Sequence, residues 1–461
     1  MKKEVFNNIF IFIILILFLT LSSIKKVSAY IDPGTGGYLA TTLGTSLLIM
    51  VGIIIGFLST YIFKPMKKFI KKHYKLIIVI LMIILITMGI FKFWLPREPQ
   101  EHNKKPFDSS LSKVQNYNKE KAFEGYNLFE GKLIDMNGNL VKEWDYIYLG
   151  LLDKNGNYYA QEYYESQNWG KFTFDNKKIW TQPLPIHHDI VLTPEGDILT
   201  TTKETYEYNK RNVEFGVILK LDKNGKEIER WSTWEHLKEL QQFHKPLELD
   251  RPPNALLPEN AKKNTSIWGG EYDYYHINAI RVLPENKLSK EYKAFQKGNL
   301  LISFRHGSML FILDKDTKEV VWRAIYDQIE NNIEGQHAPI ILESGNILIF
   351  DNGRYRGWSR IIEINPITLE IVWEYKPAGF YTLSQGFVQL LPNNNLLITE
   401  SEKGRVFEIT RDKEIVWEYY HPDVQNETNS AHQESFGTRQ WIYKMERYPK
   451  DFIDNLLEKS Y

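Results

Sequence analysis

One unit of four short strands recurs along this chain, and the recurrence restricts the fold more than any other feature. Glu-Gly-Asp-Ile-Leu-Thr at 195–200, Lys-Gly-Asn-Leu-Leu-Ile at 297–302, Ser-Gly-Asn-Ile-Leu-Ile at 344–349 and Asn-Asn-Asn-Leu-Leu-Ile at 393–398 repeat one turn and one β-type strand. A second apolar strand follows, as in Leu-Phe-Ile-Leu-Asp at 310–314, Ile-Ile-Glu-Ile-Asn at 361–365 and Val-Phe-Glu-Ile-Thr at 406–410, and then a strand carrying a tryptophan. Trp144, Trp180, Trp231, Trp322, Trp373 and Trp417 fill that last place at intervals of roughly 35 to 51 residues, with one long gap after Trp231. A repeat of about 40 residues with four short strands is the signature of a propeller blade. Six units predict an all-β, six-bladed propeller over residues 123–448, with a closing strand around 441–447 and a terminal helix. The tryptophans are expected to pack between blades. Residues 232–275 interrupt the pattern with a helix-like stretch at 234–243, a proline-rich stretch and an aromatic cluster from Trp268 to Tyr275.

The first hundred residues are a different material. A charged start, an apolar run at 9–21 and Val-Ser-Ala at 27–29 have the form of a secretory signal or signal anchor over residues 1–29. Two apolar stretches, about 39–63 and 76–95, are each long enough to cross a bilayer of roughly 30 Å. The loop between them carries Lys64, Lys67, Lys68, Lys71, Lys72 and Lys75, which the positive-inside rule assigns to the cytoplasm. Residues 30–96 therefore read as a transmembrane helical hairpin and 97–122 as a linker. Residues 123–461 are expected to be an extracytoplasmic propeller on the cell membrane. With 57 basic and 57 acidic residues the chain carries no net charge, which gives no case for a nucleic-acid partner. It has no cysteine, so thiolate catalysis, disulfides and cysteine metal sites are excluded.

The repeat also registers its polar residues. His188 and His337 each stand nine residues before the Asp or Asn of the following turn, and Asn278 takes the same step with His276 two residues earlier. In a propeller the innermost strand of each blade lines a central channel, and a hairpin sets the start of its first strand beside the end of its second. The opening step supplies His188, Asn278, His337 and Gly386; six residues past the turn lie Lys203, Arg305, Asn352 and Ser401. These eight are expected to ring one end of the channel. No pair of carboxylates converges, which argues against glycosidase-type chemistry. A pocket of His, Arg, Lys and Asn suits a sulfate, phosphate or carboxylate group. A neutral imidazole can also act as nucleophile, with an arginine holding the oxygens of a group in transfer. His188, His276 and His337 could alternatively supply three metal ligands, although Arg305 would oppose a cation.

The segments His187-His188-Asp-Ile, His276-Ile-Asn278, Leu301-Ile-Ser-Phe-Arg305, Gln336-His337 and Phe350-Asp-Asn-Gly353 with Ser359-Arg360 resemble the bacterial arylsulfate sulfotransferase family, and the likeness spans about residues 123–448. It implies an enzyme that moves a sulfuryl group from a phenolic sulfate ester to a phenol or other hydroxyl acceptor, with no cofactor, no metal and no nucleotide sulfate donor. By that resemblance His337 is the nucleophile, sulfated transiently in a ping-pong cycle, and Arg305 with Asn278 holds the sulfuryl oxygens. His276 and His188 assist in proton transfer, with His187 a neighbour of uncertain orientation. Asn352 and Lys203 are further substrate-binding candidates, and Trp268 and Tyr275 could stack on an aromatic donor from a lid formed by residues 232–275. The chain departs from family members that have an extra N-terminal β domain and a disulfide, since its linker is too short for one and it has no cysteine. The alternative is a tethered, non-catalytic propeller that binds an anionic surface polymer or a partner protein.

Overall fold

The computed structural model describes residues 113–163, 166–244, 269–424 and 439–459. All of them belong to one unit, Pro99–Tyr461. The expected signal at 1–29, the helical hairpin at 30–96 and Trp268 lie outside the described residues. Among those described, no helix is long and apolar enough to cross a membrane.

Six antiparallel sheets follow one another along the described chain and form six propeller blades. Blade IV is typical: Ile277–Val282, Leu300–Phe304, Met309–Leu313 and Val320–Ile325 pair in order from the channel outward. The two middle strands of this blade are buried at every residue. A blade is covered on both faces by its neighbours, so its middle strands read as unbroken apolar runs without the alternation of a half-exposed sheet. Turns between strands are set by side chains. Asp135, Asp153, Asp222 and Asp314 each accept two backbone amides of the turn that follows, at 2.8–3.0 Å.

The ring is closed by both ends of the described chain. Glu446–Pro449 is the innermost strand of blade I, paired with Gly125–Phe129, while Lys113–Tyr117 adds a fifth, outermost strand to blade VI against Ile415–Tyr420. Gly125 is required there, because a Cβ would lie 2.2 Å from the Tyr448 carbonyl. The tryptophans tie blade to blade as their spacing predicts. The indoles of Trp322, Trp373 and Trp417 donate to the carbonyls of Pro366, Arg411 and Met136 on the next blade, at 2.8, 3.0 and 2.9 Å.

Blade III departs from the others. Its second and third strands, Ile198–Tyr208 and Arg211–Leu221, are eleven residues each and carry the interruption. The helix-like stretch shortens to one turn, Leu237–Leu240, because its aromatics serve packing. Trp234 stacks on Tyr206 with ring centroids 4.6 Å apart, and Gln241 Nε2 donates to the hydroxyls of Tyr208 and Tyr274. The segment ends in a two-residue strand, Tyr272–Asp273, laid parallel to Val213 and Glu214. That strand delivers a carboxylate to the channel.

Candidate functional site

Backbone strain gathers where the innermost strands begin. Leu149, His188, His276, Ala338 and Gln385, one in each of blades II to VI, have φ between 45° and 66°, a region costly for residues with a Cβ. At His188 the strain has a visible use. The Asp189 amide donates to the His187 carbonyl across it at 2.9 Å, a γ-turn, and the two adjacent imidazoles end on the same side with ring centroids 3.9 Å apart. An extended strand would point them to opposite faces. Bulges at the starts of the innermost strands of blades II, IV and V re-aim the neighbouring side chains in the same way.

His337 opens blade V, and its orientation can be worked out atom by atom. Asn352 Nδ2 donates to the carbonyls of Thr382 at 3.0 Å and Gln385 at 2.7 Å, so the amide oxygen is the atom that faces His337 Nδ1, 2.7 Å away. Nδ1 therefore carries the ring proton and Nε2 keeps the lone pair. Burial, and after it Arg305, lowers the His337 pKa to about 3, against the opposing pull of Asn352 and the Gly335 carbonyl. The ring is neutral at physiological pH and its tautomer is fixed.

Arg305 is 8% exposed, and no described carboxylate lies within ion-pair distance of its guanidinium. Among the described residues, its side-chain neighbour within hydrogen-bond range is His306 Nε2, at 3.4 Å. His306 Nδ1 in turn meets the Asp273 carbonyl at 2.8 Å, which fixes Nε2 as the acceptor that orients the guanidinium. Burial, and after it Arg354, lowers the Arg305 pKa to about 10, so the group stays charged at neutral pH. A buried cation without a carboxylate is costly unless an anion completes it. Asn278 donates to the Gln336 carbonyl at 2.7 Å and has a second amide hydrogen for another acceptor.

On the other side of the channel a chain of contacts runs Tyr443, His188, His276, Asp273, Lys203, Glu214. Tyr443 Oη lies 2.6 Å from His188 Nδ1, and His188 Nε2 lies 2.7 Å from His276 Nε2. His276 Nδ1 is 2.7 Å from Asp273 Oδ2, which also pairs with Lys203 Nζ at 2.6 Å; Lys203 reaches Glu214 at 3.1 Å. The Asp273 carboxylate accepts a hydrogen bond from Nδ1–H of His276, leaving the Nε2 lone pair to accept from His188. Burial lowers the pKa values of both His188 and His276 well below the ordinary imidazole value, followed by His337 for the first and His188 for the second. Burial works against the Lys203 charge, but Asp273 and Glu214 more than offset it and raise its pKa.

Of the residues singled out from the sequence, His188, His276, Asn278, Arg305, His337 and Asn352 converge at one end of the channel. Two readings need correction. Lys203 occupies the predicted step but is committed to Asp273 and Glu214, because the interruption brings a carboxylate back to it. Tyr275 is fully buried between Tyr274 and Phe304 with its hydroxyl 2.9 Å from His244 Nε2, so it packs the interruption onto blade IV and leaves no ring face for a donor. Gly386 keeps its place in the ring but takes no Cβ, since Phe350 fills the space where one would stand, 2.7 Å away. Asp273, His306, Tyr443 and Arg354 were not anticipated. Asp273 and Tyr443 lie in the two segments outside the repeat, while Gly-Arg-Tyr at 353–355 follows a registered asparagine and could have been followed one step further.

Inward of the histidines the channel narrows. The cavity bounded by His188, Asn278, His337, Gly386 and Tyr443 is about 20 Å³, room for about one water. A larger cavity of about 400 Å³ lies between blades III and IV, against Trp231, Leu199, Val282, Leu300 and Lys315, and includes none of the histidines. Among the described residues, two histidine-containing groups could hold a metal ion: His187, His188 and His276, and Asp273, His276 and His306.

No curated protein matches the chain. Solved structures similar to it include a protein of unknown function from Bacteroides caccae, 13% identical, covering 71% of this chain and all of that one with a TM-score of 0.41. A streptogramin B lyase is 15% identical over 73% of this chain and 97% of its own, with a TM-score of 0.37. A catalytically inactive virginiamycin B lyase from Staphylococcus aureus is 12% identical over 67% and 87%, with a TM-score of 0.34. Likenesses this slight say nothing of activity. The family model described as Arylsulfotransferase (ASST) matches residues 129–422, which is more than half of the chain and includes the histidines, Arg305 and Asn352. The chain belongs to the arylsulfotransferase family of sulfotransferase enzymes.

Proposed function

We propose that this protein transfers a sulfuryl group from a phenolic sulfate ester to a phenolic or other hydroxyl acceptor through a sulfated His337. The observation that carries the reading is Arg305, a buried guanidinium with no described carboxylate partner, close enough to His337 to depress its pKa. The sulfate of the donor completes that charge, with the second amide hydrogen of Asn278 as a further donor. The lone pair on His337 Nε2 forms the N–S bond as the S–O bond to the aryl oxygen breaks, and its electron pair leaves on the phenolate. Arg305 stabilises the charge spread over the sulfuryl oxygens during the transfer.

In the second half-reaction the His188 and His276 pair, neutral at rest, takes the proton of the incoming hydroxyl. The acceptor oxygen then attacks sulfur and the N–S bond returns its electrons to His337 Nε2. The departed phenolate is protonated from solvent, and the histidine pair returns its proton there, so the cycle balances. Asp273 positions His276 by holding its Nδ1 proton. We further propose that residues 30–96 tether the propeller to the outer face of the cell membrane.

The test is brief exposure of the purified protein to a chromogenic aryl sulfate, followed by mass spectrometry of the peptide containing His337. An added mass of one sulfuryl group on that peptide, absent from His337→Ala, is expected. Full turnover by His337→Ala would refute the covalent route, and binding of the aryl sulfate without any turnover by the wild type would favour a non-catalytic propeller.

A further inference from the structure

The reaction uses one proton-shuttling histidine pair, yet four imidazoles are packed around Asp273. His187 and His306 have no assigned part in transfer. His187 is 6% exposed and its ring lies 3.9 Å from His188 and 4.9 Å from His276, centroid to centroid. One ring nitrogen from each of these three residues falls within 4.8 Å of the others.

The partners of the outer nitrogens decide what this cluster can hold. His188 and His276 point their Nε2 atoms at each other, 2.7 Å apart, and each Nδ1 already faces an oxygen: Asp273 Oδ2 for His276 and Tyr443 Oη for His188. Histidines that bind a metal through one nitrogen characteristically donate the other N–H to a carboxylate or similar acceptor. With a metal between the Nε2 atoms, His188 shifts its proton to Nδ1 and donates to Tyr443 Oη. The Tyr443 hydroxyl then donates to the His188 carbonyl, already 3.1 Å away. The hydrogen bonds of His188, His276 and Tyr443 all stay satisfied, and this pair releases no net proton. The Nε2 atoms need only part to about 3.3 Å, the separation two imidazoles take at tetrahedral zinc with Zn–N near 2.0–2.1 Å.

Charge does not forbid the ion. Arg305 opposes it, but Lys203 is paired with both Asp273 and Glu214, and those three together carry one net negative charge. The rival group of Asp273, His276 and His306 would have to take Asp273 Oδ2 from Lys203, whereas the first group leaves that ion pair intact. We propose that His187, His188 and His276 form a site for one divalent transition-metal ion of the zinc type, and that filling it blocks sulfuryl transfer by tying up the two Nε2 atoms of the pair that takes the acceptor's proton. Uptake stands apart from the sulfotransfer reading; the block rests on it.

The experiment titrates Zn²⁺ into the full-length protein by calorimetry without substrate, and follows aryl sulfate turnover in parallel. One ion per chain is expected, with turnover lost as the site fills and regained on adding a chelator. His187→Ala should weaken uptake by more than the roughly 10- to 100-fold typical of losing an outer partner of a ligand, and should keep turnover in the presence of Zn²⁺. His306→Ala and His337→Ala should bind as the wild type does. No uptake, or weakening by His306→Ala in place of His187→Ala, overturns the assignment of ligands. Uptake of one ion with undiminished turnover overturns the block. Should His187→Ala fail to fold, the visible spectrum of Co²⁺ in the wild-type protein decides: intense tetrahedral bands support the site, and the weak spectrum of six-coordinate ion refutes it.

Discussion

The fixed, neutral state of His337 makes the sulfation step insensitive to acid where an ordinary histidine nucleophile would fail. With an unperturbed pKa near 6.5, an imidazole is roughly 90% neutral at pH 7.5 and 10% at pH 5.5, a loss of about tenfold in active nucleophile. Burial and Arg305 lower the His337 value to about 3, so more than about 99% of it is still neutral at pH 5.5 on the same relation. Arg305 keeps its charge throughout, its own value being lowered only to about 10. Rapid-quench measurement of the first half-reaction, reading phenol released per enzyme in the first turnover, isolates this step from the proton transfer of the second. The rate constants at pH 7.5 and 5.5 are expected to agree within about twofold. A tenfold fall with a midpoint near 6.5 would show that His337 titrates normally, and would remove the basis for the proposed nucleophile.

Asn352→Leu leaves the Nδ1 proton of His337 without an acceptor in a buried place, a cost of about 1–3 kcal/mol, or roughly 5- to 150-fold in the first half-reaction if it is borne by the transition state. The fall should appear in kcat more than in KM; an unchanged kcat would refute the tautomer argument. Asp273→Asn strips Lys203 and His276 of their shared carboxylate and should cost about 3–5 kcal/mol of stability in urea unfolding, as for one partner removed from a buried ion pair. The double variant with Lys203→Met should recover part of that loss, and strict additivity would show the two residues to be independent. Tyr275→Phe removes only the contact to His244 and is expected to leave KM for an aryl sulfate unchanged while costing about 1 kcal/mol of stability. A large rise in KM would return Tyr275 to the substrate.

What could be read from the chain follows from which contacts are periodic. His188, Asn278, His337, Arg305 and Asn352 were legible because a hairpin converts a constant sequence offset into a constant height in the channel. The same rule found Lys203, but offset alone carries no knowledge of the neighbour. Asp273 arrives on a strand paired in parallel to blade III after a long interruption, and Tyr443 comes from the tail that closes the ring. Neither has a repeat partner from which to measure. The γ-turn at His188 was equally hidden, since nothing in His-His-Asp-Ile forces a positive φ on the second residue. For the same reason Tyr275 was misjudged: an aromatic cluster beside a channel looks alike in sequence whether it faces a ligand or, as here, the core.

The same buried histidines fix how the fold answers to acid. His306 and His337 have folded pKa values lowered to about 3, chiefly by burial, and those of His187, His188 and His276 fall well below the ordinary value for the same first cause. Above about pH 6.5 neither the folded nor the unfolded chain binds protons at these rings, and they contribute nothing to the pH dependence. As the pH falls below that value the unfolded chain takes up protons that the folded one refuses, so stability declines. At pH 5.0 His306 and His337 each cost about 2 kcal/mol, being about 1.5 pH units at 1.36 kcal/mol per unit. His306 and His337 alone then account for about 4 kcal/mol, a large part of the ~5–15 kcal/mol typical of a folded domain. Asp273, whose pairing with Lys203 outweighs its burial and lowers its pKa to about 2, acts in a separate window: its contribution is present above about pH 3.9 and is lost only as the pH falls toward 2. The decline between pH 7.5 and 5.0 is therefore due to histidine. Unfolding free energies from urea titrations at the two pH values should differ by several kcal/mol in favour of pH 7.5, and His306→Gln should shrink the difference by about 2 kcal/mol. An unfolding free energy that holds or rises at pH 5.0 would mean that the channel histidines accept protons in the folded state, and the neutral nucleophile would fall with them.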